Sequence, residues 1–405
     1  MVQVTILQVV PRLETGGSET AAVEITEALI RAGAGALVAT QGGRMAAAIT
    51  RAGGEIVDFP VASKNPLTIL ANAVRLAKLI ESRDVALVHA RSRAPAWSAL
   101  IAARRTGRPF VTTYHGAYVA KGPLKAAYNS VMARGDRVIA NSRYTESHVN
   151  SLPNTVPERV RLIYRGVDGS IFDPLVVPPG PVQRLKERWG VGPETKIVLH
   201  AARLTGIKGQ RDTIEATARL NREGTLDDAV VILAGDAPGK ETYRQELVQL
   251  IARHGLGDTV RLVGHCSDMA VAFLAAHVAL IPSLVAETFG RTSAEAQAMG
   301  CPVIVSNLGA LPETIIGEKD DPQGFTSWLV PPGDVGALAD RIALALALSP
   351  AERAEIGARA QAHVGAKFEL EQMQRQTLGV YDELLGSDLA GLFAHPPLMR
   401  AAAAP

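Results

Sequence analysis

The chain has 405 residues, of which 47% are hydrophobic and 20% charged, and its formal net charge is +2. This is globular composition at a length that suits two or three domains, and it excludes a disordered or fibrous chain. A charge sum so close to zero argues against a general nucleic-acid binder, which carries a strong basic excess, so no nucleic-acid partner is expected.

The two cysteines, Cys266 and Cys301, cannot build a disulfide framework and show no metal-ligand spacing. That fits a reducing compartment and a cytoplasmic location. The N-terminus MVQVTILQVVP lacks a basic leader region and reads as a first buried strand. The longest other apolar run, residues 342–348, is far short of the roughly 20 residues that span a bilayer. An integral membrane protein is therefore not expected, while peripheral attachment to the inner face of the cytoplasmic membrane stays open.

In chain order, short β-rich runs alternate with longer helical patterns. Strands are predicted at 4–10, 36–40, 86–90, 109–115, 137–141 and 160–165, with helices at Glu19–Arg31, Leu67–Ser82, Ala96–Arg105 and Leu124–Arg134 between several of them. A proline- and glycine-rich stretch at 173–195 predicts a linker region around one short helix. The alternation restarts with strands at 196–203, 229–236, 260–265, 278–283 and 302–306 and helices at 208–222, 241–254 and 292–299. The rhythm predicts an α/β protein with two Rossmann-like, doubly wound parallel-sheet domains facing a cleft. The expected divisions are an acceptor-side domain at 1–172, the linker region at 173–195 and a donor-binding domain at 196–366. A helix at 367–385 would pack back toward the first domain, and a tail at 386–405 would be unstructured.

Three segments carry chemistry. Gly16-Gly17-Ser18-Glu19 opens the first helix; consecutive glycines at a helix N-terminus let backbone N–H groups approach an anion, although an ordinary strand–helix turn reads the same way. Arg203 and Lys208 flank the loop in HAARLTGIKGQ and could clamp a diphosphate, against the commoner fate of solvated surface charges. Glu287 and Glu295 bracket Phe289-Gly290 after a strand end. Carboxylates so placed accept well from sugar and ribose hydroxyls; the plain alternative is one solvated acid and one that favours the helix dipole. No G-x-G-x-x-G fingerprint follows the first strand, which disfavours a nicotinamide dehydrogenase. Cys301, in Met299-Gly300-Cys301-Pro302, reads as structural.

GGSE near the N-terminus, VIANSRYT (138–145), LIYRGVD (162–168), AARL…KG, AGDAPG and ETFGRTSAEAQAMGCPVIVS together resemble the retaining GT-B glycosyltransferases of family 4, the group 1 type, over residues 1–385. The resemblance implies that Arg203 and Lys208 hold the diphosphate of a nucleoside diphosphate sugar and stabilise the charge released as the glycosidic bond breaks. It implies Glu295 accepting from the ribose, Glu287 from the donor sugar, and backbone N–H groups of Phe289 and Gly290 orienting sugar or phosphate. Gly17 would approach the donor phosphate or reacting centre, His115 would lie near the sugar, and Leu262–His265 would flank the base. His115 and its competitor His89 could instead be strand-end histidines that satisfy a backbone carbonyl. Arg91 and Arg93, at the same edge, could meet an anionic acceptor. The implied chemistry is hexose transfer to an acceptor hydroxyl with retention, with no metal or other cofactor beyond the nucleotide-sugar co-substrate.

Two departures from the family's pattern stand out: Arg291 where an apolar residue is usual, and Tyr164-Arg165-Gly166 where Pro-Asn-Gly is common. Similar variants resemble transferases of bacterial lipopolysaccharide core and polysaccharide assembly, which suggests a saccharide or lipid-linked acceptor. The competing readings are a nucleotide-sugar-binding protein without transfer activity and a GT-B nucleotide-sugar epimerase. Finally, the small net charge hides a split. Residues 1–170 hold 21 Lys and Arg against 12 Asp and Glu, and residues 171–405 hold 21 against 28. The basic half could face an anionic membrane surface or an anionic acceptor.

Overall fold

The computed structural model describes residues 4–14, 16–116, 118, 122–153, 155–178, 180–226, 228–237 and 239–396. It divides into two units, one formed by residues 1–166 with 371–405 and the other by 167–370.

In the first unit, seven strands form one sheet: β1 (Thr5–Val9), β2 (Gly35–Thr40), β3 (Glu55–Asp58), β4 (Val85–Ala90), β5 (Phe110–Tyr114), β6 (Arg137–Ala140) and β7 (Val160–Leu162). Every recorded pairing is parallel and the order is β3-β2-β1-β4-β5-β6-β7. Helices α1 (Gly17–Arg31), α2 (Ala46–Arg51), α3 (Pro66–Ser82), α4 (Arg93–Thr106), α5 (Pro123–Asn129) and α6 (Arg143–Asn150) make the crossovers. Side chains alternate between the two faces of a strand. Leu7, Val9, Val88, Ala90, Phe110 and Tyr114 accordingly enter the core shared with α3 and α4. Gln8, on the opposite face, donates to the Ala22 carbonyl and Thr26 hydroxyl of α1. Burial on both faces is why these strands read as continuous apolar runs. The edge strand β3, Glu-Ile-Val-Asp, has acids at both ends and no strong run, and the sequence reading passes over it.

The second unit repeats the plan with β8 (Lys196–Ala201), β9 (Ala229–Ala234), β10 (Val260–Gly264), β11 (Val278–Ile281), β12 (Val303–Ser306) and β13 (Trp328–Val330) in the order β10-β9-β8-β11-β12-β13. Its helices are α7 (Pro181–Arg188), α8 (Gln210–Glu223), α9 (Glu241–Arg253), α10 (Met269–Ala275), α11 (Arg291–Ala298), α12 (Val335–Ala347) and α13 (Pro350–Lys367). Alternate strand residues again supply two cores: Val198, Val231, Leu233 and Leu280 one, Ile197, Leu199, Ile232 and Ala279 the other. Both sheets are parallel and flanked by helices, as two Rossmann-like domains require.

Three expected divisions need correction. Residues 173–195 are not a free linker: Leu185, Trp189 and Val191 are buried in the second unit's core beside α10, because apolar residues on and after α7 outweigh the flanking prolines. The unit boundary falls at 166/167, not at 172. The segment from 386 is not wholly a tail, since α15 (Leu389–Ala394) buries Leu389 and Phe393, and Arg31 lies 4.4 Å over the Phe393 ring. Residues 397–405 lie outside the described residues.

The helix expected at 367–385 begins later, as α14 (Leu370–Leu385), and belongs with the first unit from Glu371 on. Glu383 accepts from Arg137 at 2.7 Å and Arg161 at 2.8 Å, while Gln374 donates to the Glu24 carbonyl at 2.7 Å. Tyr381 is fully buried with its phenol pushed up to about 12 by burial, and its hydroxyl bonds His89 Nδ1 at 2.6 Å. Tyr381→Phe should therefore leave a buried ring nitrogen unsatisfied and cost about 1–3 kcal/mol, read as an earlier denaturant midpoint with an unchanged slope.

Candidate functional site

Each sheet reverses its winding once, between β1 and β4 in the first unit and between β8 and β11 in the second. At such a point the loops leaving two neighbouring strands part to opposite faces and open a crevice at their carboxyl ends. The candidate residues collect at these two places.

In the second unit, the loop after β8 carries Arg203 and Lys208, and the loop after β11 carries Glu287. Lys208 Nζ donates to Glu287 Oε1 at 2.7 Å, and Ser283 Oγ donates to the same oxygen. Both charged side chains are only partly exposed, so their attraction is screened less than that of a surface pair. Arg203 is exposed and pairs with no acid among the described residues; its carbonyl accepts from Gln210 Nε2 at 2.9 Å, which ties the loop to α8. Gly209 has φ 77°, and a Cβ there would stand 2.1 Å from the Pro282 carbonyl oxygen. Only glycine lets the two loops approach so closely. Leu284 N–H donates to the Ile207 carbonyl at 2.9 Å, closing the junction.

Glu287 is then fixed through its backbone, its carbonyl accepting from Ala310 N–H at 2.9 Å. Phe289 is buried and its ring meets Phe368 edge-on at 5.3 Å, so the ring serves packing. Gly290, at φ 97°, turns the chain into α11. One turn on, Glu295 Oε1 receives both Arg291 Nε at 3.0 Å and Arg291 Nη2 at 2.8 Å. The unusual Arg291 is thus the partner of a second candidate carboxylate. Leu262 and His265 line a cavity of about 440 Å³ with Arg188, Trp189 and Cys266; His265 also reaches Asp236 at 3.6 Å. Cys301 is buried, its thiol pushed up to about 12 by desolvation, as a structural cysteine should be.

In the first unit, Gly17 is the exposed first residue of α1, and a Cβ there would meet nothing within 4 Å. Glu19 folds back toward Gly16 and accepts from Ser18 at 2.6 Å. His115 follows β5 directly and is partly exposed; burial of the ring, then the charges of Arg165 and Arg91, hold it well below the usual histidine range, so it is neutral at pH 7. His89 has the bland role: it is buried, with Tyr381 and Thr113 hydroxyls on its two ring nitrogens at 2.6 and 2.7 Å. Arg91 does not stand on an exposed edge. It is buried and its Nε donates to Gln8 at 2.8 Å. Arg93 starts α4, donates to Asn129 at 2.8 Å and stacks 3.9 Å over the Tyr118 ring.

Arg165, which replaces the common asparagine, forms a buried ion pair with Glu24 of α1 at 2.8 Å. The sequence shows Arg165 as a departure from the family's pattern, but nothing in the spacing of 24 and 165 marks them as neighbours, and the same holds for Ser283 and its bond to Glu287. Among the described residues, no group of three His, Cys, Asp or Glu side chains is placed to hold a metal ion. Gly209→Ala should force the Lys208 loop off Pro282 and break the Lys208–Glu287 pair. A denaturant titration is expected to show the variant about 1–3 kcal/mol less stable, with the far-ultraviolet spectrum of the folded chain retained.

Comparison with known proteins agrees with this geometry. The model of Glycosyltransferase Family 4 matches residues 15–170 and that of Glycosyl transferases group 1 matches residues 182–363. The structure is similar to that of a glycosyltransferase from Rickettsia africae, with 30% identity, a TM-score of 0.86, and 95% of this chain and 99% of that one covered. It shares its fold with the Anabaena protein HepE, solved with UDP and glucose, at 24% identity and a TM-score of 0.81 over 94% of this chain and 100% of that one. A D-inositol 3-phosphate glycosyltransferase of Catenulispora acidiphila is 29% identical over 246 residues, 56% of this chain and 57% of that protein. The match thus spans little more than half the length of this curated relative. Two parallel-sheet units, the paired loops at the second switch point and these likenesses together place the chain in the group 1 glycosyltransferase family, with the GT-B fold.

Proposed function

We propose that the chain transfers a hexose-type sugar from a nucleoside diphosphate sugar to an acceptor hydroxyl with retention at the anomeric carbon, in the synthesis of lipopolysaccharide core or another cell-envelope polysaccharide. The observation that carries this reading is the Lys208–Glu287 ion pair at the switch point of the second sheet, with Arg203 exposed on the same loop.

A diphosphate carries more negative charge than one carboxylate, so it competes for Lys208 and releases Glu287 to accept hydroxyls of the donor sugar. Arg203 and Lys208 then neutralise the phosphate as it leaves. Positive charge preorganised where negative charge develops lowers the barrier without reorganisation, so no metal is required. Glu295, held by Arg291, offers an ionised acceptor to the ribose. Backbone N–H groups at Phe289 and Gly290 orient the donor, Gly17 approaches the donor phosphate or the reacting centre, and neutral His115 lies near the sugar. The Anabaena complex with UDP and glucose and the relative named for D-inositol 3-phosphate support a nucleotide-sugar donor and a hydroxylic acceptor. Arg203→Ala and Lys208→Ala should each lower kcat by about 10²–10³-fold with activity insensitive to EDTA; full turnover by both variants would sink the proposal.

One observation favours peripheral membrane attachment on the cytoplasmic side. Leu67 is 77% exposed and Leu124 88%, and Leu70 and Val74 continue the stripe along α3. Exposed Lys64, Arg75, Lys78 and Lys125 accompany them, and no described helix is long and apolar enough to cross a membrane. Apolar anchors with nearby basic residues suit an anionic bilayer surface. Co-sedimentation with phosphatidylglycerol vesicles should fall several-fold when Leu67, Leu70 and Leu124 are changed to Ser, and should fall further with added salt. Equal sedimentation by this triple variant would remove the membrane from the proposal.

A further inference from the structure

On the face of the first sheet turned toward α1 and α14, strand alternation sets Gln8, His89, Arg91, Thr113 and His115 side by side near the strands' carboxyl ends. Arg165 joins them from beyond β7 through its pair with Glu24. Arg91 is 2% exposed and Arg165 4%. Two buried guanidinium groups therefore share this layer with one buried carboxylate, Glu24.

Arg91 is the less well served of the two. Its Nε meets a neutral amide oxygen, Gln8 Oε1 at 2.8 Å, and its Nη2 is buried without a hydrogen-bond partner among the described residues. Buried charges are normally paired, and a buried donor left unsatisfied on a charged group calls for a missing water or ion. The neighbouring histidines add no anion. Both ring nitrogens of His89 are engaged by hydroxyls, and burial and adjacent positive charge keep both rings neutral at pH 7. The N-terminus of the 15-residue helix α1 lies at the same end of the sheet and adds partial positive charge. His115 follows β5 at this end and is partly exposed, with its Nε2 buried.

We propose that Arg91, with Arg165 and His115 around it, binds an anionic group of the acceptor, a phosphate monoester or carboxylate, so that the acceptor is a charged compound rather than a neutral sugar. The word acceptor rests on the transfer reading above; the anion site itself does not. A guanidinium presents its donors in a planar fork that matches such oxygens.

The test is calorimetric titration of the full chain in phosphate-free, low-salt buffer with inorganic phosphate and with matched pairs: glucose against glucose 6-phosphate and glucuronate, and inositol against its monophosphate. At least one charged member is expected to bind tenfold or more tightly than its neutral partner, and Arg91→Met should abolish that preference. Methionine fills a similar volume without a charge but leaves buried Gln8 Oε1 without its donor, so its melting temperature in the absence of anions should fall modestly, with the folded fraction read from its circular dichroism before each titration. Arg91→Lys, which keeps the charge but loses the fork, should retain part of the preference. UDP titration of each variant reports on the second unit, so failure of UDP binding counts against the transfer reading and leaves the anion result standing. Equal binding of charged and neutral partners throughout, or a preference that survives Arg91→Met, would mean that Nη2 meets only a water and would overturn the proposal. Binding of inorganic phosphate with none of the charged organic partners would overturn the assignment to an acceptor.

Discussion

A parallel sheet that reverses its winding leaves a gap at the point of reversal, because the chains leaving two adjacent strands must turn to opposite faces. The chemistry of this protein depends on that constraint. Both units carry one reversal, and in the second it sets the loop after β8 beside the loop after β11. Gly209 then allows the backbones to touch, and Lys208 and Glu287, 79 residues apart in sequence, form a 2.7 Å ion pair. Without the reversal the two loops would cover the strand ends and no crevice would remain. Without the glycine a side chain would hold them apart.

The same constraint has a different outcome in the first unit. There the neighbourhood of the reversal is filled from within by polar side chains that hold the sheet, α1 and α14 together. Gln8 serves two partners on α1, Tyr381 of α14 fastens His89, and Glu24 neutralises Arg165. Such networks are costly unless satisfied, and Gln8, His89 and Glu24 each find partners within the chain. Arg91 Nη2 is buried without a hydrogen-bond partner among the described residues, beside neutral His115. In the proposed anion site stability and recognition would draw on the same residues, and a substitution such as Arg91→Met tests both.

Much of this was legible in the sequence, and for identifiable reasons. Central strands buried on both faces are continuous runs of Val, Ile and Leu, so β1, β4, β8 and β9 stand out, and their alternation with helical periods dictates parallel pairing through crossovers. Two of the four edge strands escape: Glu55–Asp58 and Trp328–Val330 are short and take their conformation from a neighbour's hydrogen bonds. The short helix α15 escaped because Leu389 and Phe393 declare themselves only when a surface exists to receive them. The prolines around 173–195 suggested a linker, whereas burial of Leu185 and Trp189 decides that the segment is core.

By itself the sequence determined the α/β class, the two-unit plan and the residue types at the donor loops, since these follow from local periodicity and from short motifs whose members are near in the chain. Only the tertiary structure decided the pairings. Arg291 with Glu295 is one helical turn and could be read locally; Lys208 with Glu287, Arg165 with Glu24 and His89 with Tyr381 could not, because contacts between distant residues are set by strand order and helix packing rather than by spacing. The same holds for Arg91. Its charge and its place after a strand are sequence facts, but its burial, and the unsatisfied nitrogen that follows from it, exist only once the sheet and two helices have closed around it.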